Sequence, residues 1–443
     1  MKKRPRRSAP PNREATERLR APFVRSPALS PDTVPSLNHR LAYLVSRYPA
    51  ISHTFILREI VELRKLGFSI DVASINDADR PPAELTAEEQ AEGKSTWYVK
   101  NQGVAGALAA NLAVFLSNPL RYLQGALFAL KLGGADLRKL VMCCFYLVEA
   151  AMLGRWMEQR GLRHIHVHFA TPASTVALIL SRIFPVTFSI TVHGPDELYD
   201  VPGYYLPQKV VASRFLCTIG FYARSQLMRI SEAPDWFKIH VTPLGVDPDL
   251  FTPRPFREIP QVFEIICVGR LVPAKGQRVL VDAIAQLVSE GRSIRLRLVG
   301  DGPDRASLES AVRALGIGTS VVFHGNVNQD RIRALYSEAD LFALASFAEG
   351  IPVVLMEAMA MEIPCVTTWI TGVPELIRNG VDGVLVAPSD ERGLADAIAR
   401  LMDDAPARQR LGKAGRARVI DKYNLRPNVA RLAEVFRETG AAA

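Results

Sequence analysis

The run Phe263-Glu-Ile-Ile-Cys-Val-Gly-Arg-Leu-Val-Pro-Ala-Lys-Gly-Gln277 decides the fold. Its first six residues are mostly apolar and suit a short buried strand. A turn carrying Gly269 and Pro273 follows, and a helix is expected to begin near Lys275. Together they make one βα unit. The unit repeats downstream, with strands expected at 294–299, 321–324, 341–344, 364–367 and 383–386, each followed by a helical segment. Upstream, a connector rich in proline (Pro243, Pro248, Pro253, Pro255, Pro260) separates this series from an earlier one. There the expected strands are 41–45, 68–75, 165–169, 187–193, 215–219 and 239–242. Helices are expected at 53–66 and 172–182, with a longer helical stretch over 104–160. Continuous apolar strands between helices indicate parallel sheets covered on both faces. The expectation is an α/β protein of two doubly wound domains, 38–247 and 248–423, facing each other across a cleft at the carboxyl ends of the strands. A C-terminal helix over 424–438 is expected to pack back on the first domain.

The chain has 443 residues, about three times the commonest domain size, with 48% apolar and 22% charged residues. That excludes a fibrous, a wholly disordered and a small disulfide-stapled protein. Five cysteines without a CxxC pair argue for a reducing compartment and against a zinc ribbon. Residues 1–37 hold nine basic and three acidic residues, which is +6 of the formal +9. This proline-rich segment reads as a disordered basic tail, with no apolar core of a secretory signal. A solvated arm is its plain reading; attachment to an anionic membrane surface is its functional one. The apolar region 104–153 is broken by Asn111, Asn118, Arg121, Lys131, Arg138, Lys139 and Glu149. Helices covering a sheet are expected there, and no membrane-spanning segment.

Three motifs carry chemistry. Glu349-Gly-Ile-Pro-Val-Val-Leu-Met-Glu357 sets two carboxylates eight residues apart, the first in a loop and the second in a helix. Pro352 suits the first helical turn, and the N–H groups of Gly350 and Ile351 can face an anion. In Val268-Gly-Arg-Leu-Val-Pro-Ala-Lys-Gly-Gln277, Arg270 and Lys275 flank a helix mouth. Two cations at a helix N-terminus can neutralise a departing diphosphate without metal. Gly300-Asp-Gly-Pro303 makes a tight turn at the same edge. His164, His166 and His168 share one strand face, but no acidic or thiol group lies near them in sequence, so no metal site is expected. Asp77-x-Asp79 and Asp247-x-Asp249 spell a metal-binding DxD pattern, but their loop and connector settings read as structural.

Taken in order, these motifs resemble the retaining glycosyltransferases of family 4. The Glu-x7-Glu element is joined by Pro243-Leu-Gly-Val-Asp247, the Gly269–Gly276 loop, Leu298–Pro303, His324–Val327, Ala339–Phe342 and Thr371-Gly-Val-Pro-Glu375. Ser46–Phe55 and Thr191-Val-His-Gly-Pro-Asp196 are similar to the branch that builds bacterial exopolysaccharides such as colanic acid. The resemblance covers roughly residues 41–438. It implies the GT-B fold, two Rossmann-like domains, and sugar transfer from a nucleoside diphosphate to a saccharide acceptor carried on a lipid. A cytoplasmic protein is expected, held through its basic tail at the inner face of the cytoplasmic membrane if that tail attaches to lipid. By the same resemblance Arg270 and Lys275 hold the donor phosphates and Glu357 takes the ribose hydroxyls. Glu349 touches the donor sugar, and His193 approaches it from the first domain; Gly269, Asp196 and Thr54 are expected among the substrate-binding residues. Residues 46–54 lack the paired glycines common among such proteins, so Ser52 and Thr54 are expected to cap the helix and present its amides instead. No cofactor and no nucleic acid are expected. Rival readings are a nucleotide-sugar epimerase of the same fold and a silent nucleotide-sugar-binding protein. Nucleoside diphosphate released only with an acceptor present separates the first from transfer; any donor turnover excludes the second.

Overall fold

A computed structural model describes residues 39–441; the basic tail over 1–37 lies outside the described residues. The strands of the first lobe are β1 (His39–Arg47), β2 (Phe68–Asn76), β3 (Trp97–Tyr98), β4 (His164–His168), β5 (Thr187–Val192), β6 (Phe215–Thr218) and β7 (Ile239–Val241). Those of the second are β8 (Phe263–Val268), β9 (Ile294–Val299), β10 (Val321–Gly325), β11 (Leu341–Leu344), β12 (Cys365–Thr368) and β13 (Val384–Val386). The sheets run in the order β3-β2-β1-β4-β5-β6-β7 and β10-β9-β8-β11-β12-β13. All pairings are parallel. In each sheet the order reverses beside its first strand, between β1 and β4 and between β8 and β11. Strand ends diverge at such a point and leave room for a ligand.

The helices that bear on the site are α1 (Thr54–Lys65), α2 (Gly103–Ser117), α3 (Pro119–Gly133), α4 (Leu137–Arg160), α5 (Pro172–Ile183), α6 (Phe221–Arg229), α7 (Gln277–Ser289), α8 (Val353–Ala360) and α9 (Leu425–Glu438). Side-chain alternation along β1 divides the first core. Leu41, Tyr43 and Val45 join α1 and α9 on one face, while Ala42 and Leu44 join α4 and α5 on the other. The C-terminal helix thus returns to the first lobe and buries Leu425, Val429, Leu432 and Phe436 there. The second lobe has its own core around β8, β11, α7 and α8.

Four details differ from the sequence expectation. The edge strand β3 has two residues, too short to carry a periodic pattern. The stretch 104–160 is three helices, broken at Asn118 and near Asp136, each of which accepts an N–H as a helix cap. At 24 residues, about 36 Å, α4 is long and apolar enough to cross a bilayer, with a mean hydropathy of 1.5 in its best window. Its second half is nevertheless core, with Ala150, Ala151, Leu153, Trp156 and Met157 buried. Finally, Pro352 sits at the N-cap of α8 and not in its first turn.

Candidate functional site

The loops that leave β1, β4, β5, β8 and β11 meet in one cleft with a volume of about 580 Å³. Glu349, Glu357, Arg270, Lys275, His193, Gly350, Ile351, Gly269, Asp196 and Thr54 all line it.

On the second lobe the backbone fixes the charges. After β8 a turn over Pro273–Lys275 precedes Gly276, whose φ of 58° is left-handed. A Cβ at Gly276 would lie 2.1 Å from the Ala345 carbonyl oxygen, so glycine is required and α7 starts only at Gln277. This geometry brings Lys275 back toward the β11 loop, where its Nζ donates to Glu349 Oε1 at 2.6 Å. Ser346 Oγ donates to the same oxygen at 2.7 Å. Glu349 is buried, so the ion pair works in a medium of low dielectric. Arg270 is exposed at the cleft and has no ion-pair partner among the described residues. Its guanidinium is available to an incoming anion.

Glu357 lies one turn inside α8, buried, and faces the first lobe. Arg58 of α1 donates through Nη1 to its Oε1 at 3.1 Å, and the Tyr336 hydroxyl donates to Oε2 at 3.3 Å. Arg58 Nη2 also donates to Gln329 Oε1 at 2.6 Å. Burial pushes the Glu357 carboxyl up from its ordinary value, opposed chiefly by Arg58.

Two further contacts join the lobes here. A Cβ on Gly350 would fall 1.9 Å from the carbonyl oxygen of His193, so only glycine permits this approach. The Glu375 carboxylate accepts from the N–H groups of Phe221 and Tyr222, each at 2.7 Å, and so caps α6 from across the cleft.

The first lobe contributes a chain of hydrogen bonds that ends at the cleft. Tyr43 OH donates to Glu59 Oε1 at 2.9 Å, and His168 Nε2 lies 3.1 Å from the same oxygen. His168 Nδ1 lies 2.9 Å from His193 Nε2. In the neutral His168 tautomer that donates to Glu59 through Nε2, Nδ1 accepts from His193, which then carries its proton on Nε2. In that tautomer His193 Nδ1 is an acceptor, buried and without a hydrogen-bond partner among the described residues. Burial, followed by the neighbouring His168 and His53, holds the His193 pKa well below the usual imidazole range. The imidazole is neutral at pH 7. The His193–Gly194 turn is held by Glu197, which accepts from both their N–H groups at 2.6 and 3.0 Å. Burial pushes the Glu197 carboxyl up to about 7. Asp196 itself is exposed beside it.

The histidines of β4 are structural in their hydrogen bonding. His164 lies within 2.8 Å of the Thr187 and Ser189 hydroxyls, and His166 within 2.9 Å of those of Ser189 and Thr191. The fold does supply the acidic neighbour absent from the local sequence: ligand atoms of Glu59, His166 and His168 lie within 4.8 Å of one another. Both ring nitrogens of each histidine already have partners. The DxD aspartates serve the chain, since Asp79 accepts from the Ile51 N–H at 2.7 Å and Asp247 and Asp249 both pair with Arg426. The expected side-chain cap on α1 is not made: His53 holds the N-cap position without a side-chain bond.

The sequence alone did not point to Arg58, Glu59, Ser346 and Glu197, and it marked His168 only as one of three histidines on a strand face. One of them had a legible signal. Glu59 interrupts the buried stripe Ile56, Leu57, Ile60 and Leu63 of an amphipathic helix, and a carboxylate in such a stripe calls for a partner.

Comparison with known proteins fits this geometry. Residues 253–418 match the family described as Glycosyl transferases group 1. The putative colanic acid biosynthesis glycosyltransferase WcaL of Escherichia coli K12 is 27% identical over 81% of this chain and 90% of its own length. A GDP-mannose-dependent alpha-(1-6)-phosphatidylinositol monomannoside mannosyltransferase of Mycolicibacterium smegmatis is 32% identical over 65% of this chain and 79% of its own. Among solved structures, Anabaena Alr3699/HepE in complex with UDP-glucose superposes with a TM-score of 0.68 at 18% identity, covering 90% of this chain and 99% of that one. The likeness extends through both lobes and not only through the matched second one. The chain belongs to the group 1 glycosyl transferase family and has the two-lobed GT-B fold.

Proposed function

We propose that this protein is a retaining, metal-independent hexosyltransferase of exopolysaccharide or cell-surface glycan synthesis, moving a sugar from a nucleoside diphosphate to a hydroxyl of a growing, lipid-linked saccharide. The observation that carries the reading is the Lys275–Glu349 pair, set in one cleft with Arg270 and His193 Nδ1, neither of which has a partner among the described residues. The WcaL relative, named for colanic acid biosynthesis, supports the pathway class, and the UDP-glucose complex of a structural neighbour supports a nucleotide-sugar donor.

In this reading the diphosphate lies against Arg270, Lys275 and the N–H groups of Gly350 and Ile351. The ribose hydroxyls donate to Glu357, which keeps Arg58 and Tyr336 as further partners. His193 Nδ1 accepts from a hydroxyl of the transferred sugar. The bond from the anomeric carbon to the β-phosphate oxygen breaks as the acceptor oxygen attacks the same face. The acceptor's proton passes to a leaving phosphate oxygen, and nucleoside diphosphate departs. Negative charge grows on that oxygen in the transition state, where the preorganised cations act most strongly. Glu349 faces the positive charge that develops at the anomeric carbon and holds Lys275 in place.

The test is a thermal-shift screen with UDP-, GDP- and ADP-sugars in EDTA, followed by nucleoside diphosphate release with a lipid-linked saccharide acceptor. A stabilising donor and acceptor-dependent release are expected. Loss of both in EDTA with rescue by manganese contradicts metal independence.

A further inference from the structure

The described residues expose 28 large apolar side chains, and thirteen of them sit on α2, α3 and the first half of α4. They fall at helical spacing. Leu108, Leu112 and Leu116 step along α2, and Leu120 and Leu127 along α3, each 59–74% exposed. In a helix of a water-soluble protein such a stripe turns inward. Here it turns outward, and α3 buries Gly125, Ala129 and Gly133 instead. A Cβ on Gly125 would meet Ile183 at 2.4 Å, and one on Gly133 would meet the Leu140 backbone at 2.6 Å. Small residues thus face protein and leucines face out, which is the arrangement of helices that meet lipid.

Composition and charge point the same way. The exposed set is Leu, Val, Met and Phe, whereas energetic centres of protein interfaces favour Trp, Tyr and Arg and under-use Leu. The charged residues between 103 and 145 are Arg121, Lys131, Arg138 and Lys139 against Asp136 alone, all exposed. Asp136 is already engaged as the cap of α4. The face therefore combines apolar surface with a net positive charge. Helices α2 and α3 have 15 residues each, about 22 Å, and bend 120° apart. Each is too short to cross the 30 Å of hydrocarbon, and α4 is tied into the core by its second half.

We propose that the outer face of α2, α3 and the start of α4 docks in the plane of an anionic lipid bilayer, its leucines at the acyl boundary and its lysines and arginines at the headgroup phosphates. The proposal goes beyond the reading of the cleft and holds whatever the donor or acceptor is.

The experiment sediments the full-length protein with phosphatidylcholine vesicles, with and without phosphatidylglycerol. The variant is Leu116→Glu, Leu120→Glu and Leu127→Glu combined. All three side chains are exposed, so its thermal midpoint in vesicle-free buffer should match the wild type. Wild type should bind the phosphatidylglycerol vesicles, and the variant's partition coefficient should be lower by at least about a hundredfold. A high-salt wash screens attraction by charge, that of residues 1–37 included; wild type should still retain more than the variant. Equal partition of the two proteins, or no binding by wild type, overturns the proposal. So does a wild-type dimer in vesicle-free buffer that the same substitutions split, because a second copy then covers the face.

Discussion

Seven of the chain's eight histidines belong to the first lobe, whereas Arg270, Lys275, Glu349 and Glu357 all belong to the second. The two walls of the cleft therefore work differently. The second lobe holds charge in place, with Lys275 pinned to Glu349 and Arg270 left open. The first holds a hydrogen-bonded chain, from Tyr43 and Glu59 through His168 to the neutral imidazole of His193. Charge suits a leaving diphosphate, and an oriented neutral acceptor suits a sugar hydroxyl. The division teaches that the lobes can be damaged separately, with different kinetic signatures.

The largest effect is expected on the charged wall. Lys275→Ala should lower kcat by about 10²–10³, the usual loss when one transition-state charge partner is removed. Glu349→Gln should act in the same direction and mainly on kcat. Because the two side chains share a hydrogen bond, the double variant should be little worse than the poorer single one. Fully additive losses in steady-state kinetics would mean that the pair does not act as a unit. A smaller and different effect is expected deeper in the same lobe. Glu357→Gln should chiefly raise the donor KM, by about 1.5–3 kcal/mol for a lost charge-assisted bond. A fall in kcat at unchanged KM would put Glu357 in the chemistry.

The contrast between the lobes also explains what the sequence made legible. Strands β8, β9 and β11 occupy the expected residues, and the charged wall was readable because its residues lie in two unbroken motifs beside them. The neutral wall was not readable in that way. Glu59 and His168 are 109 residues apart, and only the packing of α1 on β4 joins them. Arg58 meets Glu357 across 299 residues. The apolar spacing of 104–160 suits a cover for the sheet, because spacing alone does not reveal which side of a helix meets protein. Gly125, Ala129 and Gly133 decide that question, and their meaning appears only with Ile183 and Leu140 beside them.

On the neutral wall the expected changes are smaller. Glu59→Gln replaces the carboxylate by an amide that can donate as well as accept, so the tautomers of His168 and His193 are no longer fixed by a pure acceptor. It should lower kcat/KM by about tenfold, the worth of one hydrogen bond, and alter the pH profile of kcat/KM. Glu59→Asp should restore part of both. A uniform loss with an unchanged pH profile would leave Glu59 a purely structural residue.

The smallest effect at neutral pH grows on acidification. Burial lowers the pKa of His53 to about 4 and of His164 to about 3, and that of His166 well below its ordinary value. A base whose pKa is lower when folded stabilises the fold above its unfolded value and loses that stabilisation as pH falls toward the folded one. Between about pH 6.5 and 4 the first lobe should therefore weaken before the second, which holds only His324. Hydrogen exchange should show β4 and β5 amides losing protection ahead of β8 and β9. Equal loss in both lobes would break the comparison.

The central claim is that Arg270 and Lys275, without metal, hold the nucleoside diphosphate on the second lobe. Calorimetric titration with UDP, GDP and ADP in EDTA tests it most directly, on the wild type and on Arg270→Ala and Lys275→Ala. The account predicts that one of these nucleotides binds wild type in EDTA and binds each variant about 10–100-fold more weakly, the worth of a charge-assisted bond. Unchanged affinity in both variants, or wild-type binding that appears only when a divalent ion is added, would contradict it.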